Sequence, residues 1–371
     1  MSIKDLHHHI ENEPDFKGLK VNTGIPQPDS VSNDSVKRFL NKNRKLHSVQ
    51  EYVEGILKGD ITLLSKAVTL VESASAKHQA LAQEIITQCL PHSGNSVRVG
   101  ITGVPGVGKS TFIEALGSYI TRQGGKLAVL AIDPSSERTK GSILGDKTRM
   151  EDLAGDRNAY IRPSPAAGSL GGVARKTRET IILCEAAGFN HIFIETVGVG
   201  QSETAVHSMT DFFLLLMLAG AGDELQGIKR GIMEMADVIA INKADGNNIE
   251  KAGMARIQYH NALHLFPKRD SDWEPQVLTC SAAKKSGIPE VWKKIIAYKN
   301  QTVNNGYFVK NRNRQSTYWM YETIDGQLKR NFYDNPEIKE RLNILENYVL
   351  SDKMSSFTAA GNLLEMYSKL K

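Results

Sequence analysis

The chain has 371 residues, 40% hydrophobic and 23% charged, with 46 lysines and arginines against 41 aspartates and glutamates. That composition excludes a disordered or fibrous chain and suits one large domain with extensions. The formal charge of +5 is small and scattered, so no nucleic-acid partner is expected.

Residues 1–45 are polar, and GIPQPDS and SNDSV break any periodicity, which reads as a mobile N-terminal arm. The histidine tract at 7–9 has no partner cluster and reads as a solvated stretch rather than a metal site. A helical domain is expected over 46–95. Val49, Tyr52, Val53, Ile56 and Leu57 share one helix face. Gly59 ends that helix and Asp60 caps the next, whose apolar face is Ile61, Leu64, Val68 and Val71. A third stretch runs to about Leu90, before Pro91 and HSGN.

Over 96–300 short apolar runs alternate with helical patterns. The runs cover 97–102, 127–132, 191–195, 212–218, 237–242 and 276–281, with AYIR at 159–162 as a candidate seventh. They are continuously apolar rather than alternating, as in strands of a parallel sheet covered on both faces. A doubly wound α/β domain follows, with ligands at the carboxyl ends of its strands. The run FFLLLMLAG at 212–220 is too short to span a bilayer, and no basic-then-apolar leader opens the chain. Three cysteines (Cys89, Cys184, Cys280) lie far apart without metal-ligand spacing. A reduced cytoplasmic protein with no membrane partner is expected. The segment 301–371 is helical. Its stripes Tyr321, Ile324, Leu328, Phe332 and Ile338, Leu342, Leu345, Tyr348 suit either a cap on the core or a self-association surface.

GVPGVGKST follows the first strand and opens a helix, the context a phosphate-binding loop requires. The loop of Gly103, Val104, Pro105, Gly106, Val107 and Gly108 frames the phosphates with the backbone N–H groups of its non-proline residues, and Lys109, Ser110 and Thr111 begin the helix. Lys109 reaches the β- and γ-phosphates and Ser110 ligates Mg²⁺. NKAD ends a later strand. Asp245 can accept from the ring N–H and amine of guanine, Lys243 can pack on the ring, and Asn242 opens the motif. Downstream, Ser281, Ala282 and Ala283 supply backbone groups for the guanine oxygen. GTP and GDP are therefore the expected nucleotides.

Asp133, Asp146 and Glu195 are the carboxylates expected at Mg²⁺, since the ion takes oxygen ligands. A helix cap or surface ion pair remains the competing reading for Asp146. Glu195 opens ETVGVGQSE, in which Gly198 can offer its N–H to the γ-phosphate while Val199 stands where a polar residue would orient water. The glycine-dotted loop LAGAGDELQGIKRG, with Asp223, Gln226 and Lys229, reads as a functional loop rather than a plain connection.

Together GVPGVGKST, AIDPSS, GDKTRM, RPSPAAGSLGGVARKTRE, ETVGVGQSE, GAGDELQGIKRG and NKAD resemble the G-protein chaperones of adenosylcobalamin-dependent methylmalonyl-CoA mutase, over about 45–371. The resemblance implies a P-loop GTPase domain over 96–300 and a homodimer through 301–371. It also implies a GTPase that binds the mutase, or a related acyl-CoA mutase, and gates cofactor loading and protection. Asp223, Gln226 and Lys229 then form a third switch, with Lys229 supplying what Val199 lacks. The competing readings are an ATP-dependent amino-acid transport ATPase or kinase, which Asn242-Lys243-x-Asp245 disfavours, and a nickel-type metallochaperone GTPase, which would want a Cys/His delivery site.

Overall fold

Runs of valine, isoleucine and leucine that bury both faces can only be satisfied in the middle layer of a sandwich, and that is where they lie. The computed structural model describes residues 46–133, 150–165, 170–196, 202–219 and 230–370, and Ser48–Lys371 forms one structural unit. Three helices come first: α1 (Val49–Leu57), α2 (Ile61–Glu72) and α3 (Ala76–Cys89). A capping box starts α1, with Ser48 N donating to Glu51 at 2.7 Å and Glu51 N to Ser48 Oγ at 3.2 Å. Asp60 caps α2 through Thr62 N at 2.7 Å, as its position predicts.

The α/β portion follows as β1 (Val97–Gly103), α4 (Lys109–Arg122), β2 (Leu127–Asp133), α5 (Glu151–Ala154), β3 (Ala159–Pro165), α6 (Leu170–Ala186), β4 (His191–Thr196), α7 (Ser202–His207), β5 (Phe212–Leu218), α8 (Arg230–Met235), β6 (Val238–Asn242), α9 (Ile249–Leu263), β7 (Gln276–Thr279) and α10 (Ile288–Asn304). The seven strands are all parallel, in the order β3-β2-β4-β1-β5-β6-β7. Ala128, Leu130, Ile192, Ile194 and Phe213 pack toward α1–α3 and α6. Val99, Ile101, Val129, Phe193 and Leu214 pack toward α4 and α10. All three cysteines are buried and unpaired.

The sheet departs from the sequence expectation at its ends. AYIR is a full strand reaching Pro165, because β3 pairs with β2 along its whole length. The last strand stops at Thr279 rather than 281, since Ser281 instead bridges Ser286 across a tight turn. β6 begins at Val238, one residue later than the run from 237, and the Asp237 carboxylate before it accepts from Phe213 N at 2.8 Å.

The tail is α11 (Tyr307–Tyr333), α12 (Pro336–Leu350) and α13 (Ser356–Lys369). Ile338 and Leu345 are buried against Ala359 and Leu363, so α12 and α13 cover each other. The other stripe stays open, with Tyr321, Ile324 and Leu328 all exposed. Among the described residues, no helix is long and apolar enough to cross a membrane.

Candidate nucleotide site

In this strand order β1 stands where neighbouring connections diverge to opposite sides, β4 to one flank and β5 to the other. Such a switch point leaves a crevice beyond the carboxyl ends of the strands. The loop leaving β1 fills it. A Cβ on Gly103 would come within 2.5 Å of the Leu216 carbonyl oxygen, so the chain passes β5 too closely for any side chain. Gly108 holds the left-handed conformation (φ +90°) that turns the loop into α4. Val107 is buried and its N–H closes the loop on Val104 O at 3.2 Å. Lys109, Ser110 and Thr111 occupy the first turn of α4, where N–H groups have no intrahelical acceptor and the dipole favours anions.

Lys109 donates to the carbonyls of Gly103 (2.9 Å) and Val104 (3.4 Å). Burial pulls its amine below the ordinary lysine range, while the negative charges of Glu195 and Glu203 oppose that shift. Glu195 is 9% exposed near the end of β4, in register with Ile101 of β1 and Ala131 of β2. Asp133 is the last residue of β2. Ser110, Asp133 and Glu195 thus come from three elements that end around one loop. Asp146, Gly198, Val199, Asp223, Gln226 and Lys229 lie outside the described residues.

The base side is built from β6 and the turn after β7. Buried Asn242 donates to Val107 O at 2.8 Å and accepts from Ala282 N at 3.0 Å, tying the phosphate loop to the second motif. Lys243 reaches Gly106 O at 2.8 Å. Its own backbone is left-handed (φ +59°), a strained state for a non-glycine residue, held by Ala244 N donating to Cys280 O at 2.9 Å. Half-buried Asp245 accepts from Ser281 Oγ, and that hydroxyl accepts in turn from Lys284 N at 3.1 Å. Ala282 is buried beside Asn242, and Ala283 follows in an exposed turn.

Two features escape sequence reading. The double role of Asn242 joins residues 135 and 40 positions away. Glu203, in the first turn of α7, is 2% exposed and close enough for its charge to act on Lys109. Its place at the end of ETVGVGQSE was the one available signal.

The family profile described as methylmalonyl Co-A mutase-associated GTPase MeaB matches residues 64–337. GTPase ArgK of Escherichia coli is 45% identical over 310 residues, 82% of this chain and 94% of the relative. The mitochondrial methylmalonic aciduria type A homolog of Mus musculus is 44% identical over 329 residues, 86% of this chain and 79% of that one. A crystal structure described as LAO/AO transport system kinase superposes with TM-score 0.70 at 38% identity, over 86% of this chain and 97% of its own.

Proposed function

Because the chain belongs to the MeaB family of methylmalonyl-CoA mutase-associated GTPases, we propose that its hydrolysis of GTP serves a cobalamin-dependent mutase. The client is methylmalonyl-CoA mutase or a related acyl-CoA mutase, and the GTPase cycle gates loading and protection of adenosylcobalamin there. The observation that carries this reading is the profile match across 64–337, joined to relatives named for methylmalonic aciduria. The expected division is an arm (1–45), a helical domain (46–95), the GTPase domain (96–300) and a dimerisation segment (301–371).

In this reading the amides of the 103–108 loop and the first turn of α4 cradle the phosphates. Lys109 exchanges the Gly103 and Val104 carbonyls for β- and γ-phosphate oxygens. Gly198 offers its N–H to the γ-phosphate. Ser110, Asp133 and Glu195, with Asp146 as a further ligand, provide only hard oxygen donors, a set that fits Mg²⁺. Bound there, the ion neutralises charge on the phosphates. Asp245 reads guanine, Lys243 covers the ring, and Ser281, Ala282 and Ala283 present backbone groups to its oxygen. Val199 offers nothing to orient water, so hydrolysis is slow until a partner engages. Lys229, supported by Gln226 and Asp223, then approaches the phosphates; a cation delivered late is worth about 10³–10⁵ in rate. The open apolar stripe of α11 supports a homodimer through the C-terminal helices.

The structural relative described as a transport system kinase raises a second reading, ATP-dependent chemistry. Nucleotide competition separates the two: GTP should displace a labelled guanine nucleotide, and ATP should not. The decisive measurement is steady-state GTP hydrolysis with and without mutase, in wild type and Lys229→Ala. The variant should keep basal hydrolysis and lose stimulation. Full stimulation of Lys229→Ala removes the role of that lysine. No stimulation of the wild type by any acyl-CoA mutase removes the client.

A further inference from the structure

Below the nucleotide loops lies a cavity of about 640 Å³, within the range of small-ligand sites. It opens between α7 and α8 and extends to the 266–271 loop and the first turn of α11. Phe213, Tyr298 and Tyr307 contribute aromatic wall, and Glu203 lies at its α7 end.

The carboxylates on this cavity differ in how they are satisfied. Asp211 is held by Arg312 through two contacts of 2.7 Å, and Asp237 by Arg269 at 2.6 Å. Glu203 is as deeply buried as either, yet its Oε2 has no hydrogen-bond partner. Lys109 feels its charge, but Lys109 hydrogen-bonds the Gly103 and Val104 carbonyls instead. A buried carboxylate oxygen without a hydrogen-bond partner is costly unless something else satisfies it. Among the described residues of the cavity wall no cation is free to do so: Arg269 is held by Asp237 at 2.6 Å. Lys268 is 84% exposed and paired with Asp272, His207 is held neutral by burial, and Glu234 adds further negative charge. An acidic, aromatic-walled space suits a positive group, which gains from the carboxylate and from the ring faces together.

We propose that this cavity binds a small organic cation, an ammonium or guanidinium group on a short apolar stem, paired with Glu203. One wall of the site is α8, so an occupant braces α8 against α7. The site is distinct from the base and phosphate contacts assigned above, and its existence does not depend on the identity of the mutase client.

The test uses the full-length, GDP-loaded protein and ligand-observed NMR titration with n-butylamine, n-butylguanidine and the neutral n-butanol. Both cations should bind saturably, and n-butanol at least about tenfold more weakly, the scale of a lost charge-assisted hydrogen bond. Glu203→Gln should bring n-butylamine to the level of n-butanol. Gly231 lines the same cavity and has open space where a Cβ would stand, so Gly231→Leu should fold, keep GDP and lose the cations. The proposal is overturned by equal binding of butylamine and butanol, by absence of saturable cation binding, or by undiminished amine binding in Gly231→Leu.

Discussion

Asp245 ends a short chain of hydrogen bonds, from Lys284 N to Ser281 Oγ to its carboxylate, which holds the group in place for the guanine contact proposed above. Asp245→Asn turns one acceptor into a donor. GTP affinity should fall roughly 10²-fold or more, the scale of two lost charge-assisted bonds, and xanthosine nucleotides should gain, since xanthine carries a carbonyl where guanine has its amine. Competition binding reads this directly, and unchanged GTP affinity would end the base-reading role. His191 shows the same physics without a ligand. Its ring lies edge-on to Trp292 at 5.0 Å, with Nδ1 buried and unpartnered. Burial, helped by the charge of Lys299, pushes its pKa down to about 4. The folded value lies below the unfolded one, so the neutral ring's contribution is complete above about pH 6.5 and is lost as pH falls toward 4. It amounts to at most about 3 kcal/mol. His191→Leu should flatten the decline of urea stability between pH 6.5 and 4. Parallel curves for variant and wild type would show the ring charges freely in the folded state.

At the scale of elements, the strands and the first helices were legible because each advertises its own environment. Continuous apolar runs meant two covered faces, and Asp60 after Gly59 meant a cap. The end of β7 was not legible, because the Ser281–Ser286 bridge that stops it depends on a turn and not on apolarity. Nor was the attachment of α11. Arg312 grips Asp211 through both carboxylate oxygens at 2.7 Å and donates to Ser96 O at 2.8 Å and to Gly94 O. Gln315 and Trp319 continue the contact along the same helix face, donating to Thr210 O and Ser208 O. Arg312→Met would leave Asp211, 3% exposed, without its guanidinium. The expected loss is about 3–5 kcal/mol in chemical denaturation. A loss under about 1 kcal/mol would mean that water replaces the arginine.

At the scale of the molecule, the question is what covers the C-terminal helices. Tyr321, Ile324 and Leu328 are 59%, 46% and 49% exposed along one face of a 27-residue helix, an open apolar stripe of the kind that marks interaction surfaces. The homodimer proposed above predicts that the paired substitution Tyr321→Glu with Leu328→Glu leaves a monomer in light scattering. Nucleotide affinity should be unchanged, because neither residue belongs to the loops assigned to the nucleotide. A variant that stays dimeric places the interface elsewhere.

The sequence by itself determined the class of sheet, the phosphate loop, the guanine motif and the family. Each is written in contiguous residues whose spacing or backbone freedom carries the chemistry. Only the tertiary structure decided the strand order, with β1 between β4 and β5, and the joining of the two nucleotide motifs through Asn242. The same is true of the burial of Glu203 over an acidic cavity and of Arg312 as the anchor of the long helix. Those facts arise from contacts between residues from 40 to more than 200 positions apart, and no local periodicity records which distant groups will share a buried space.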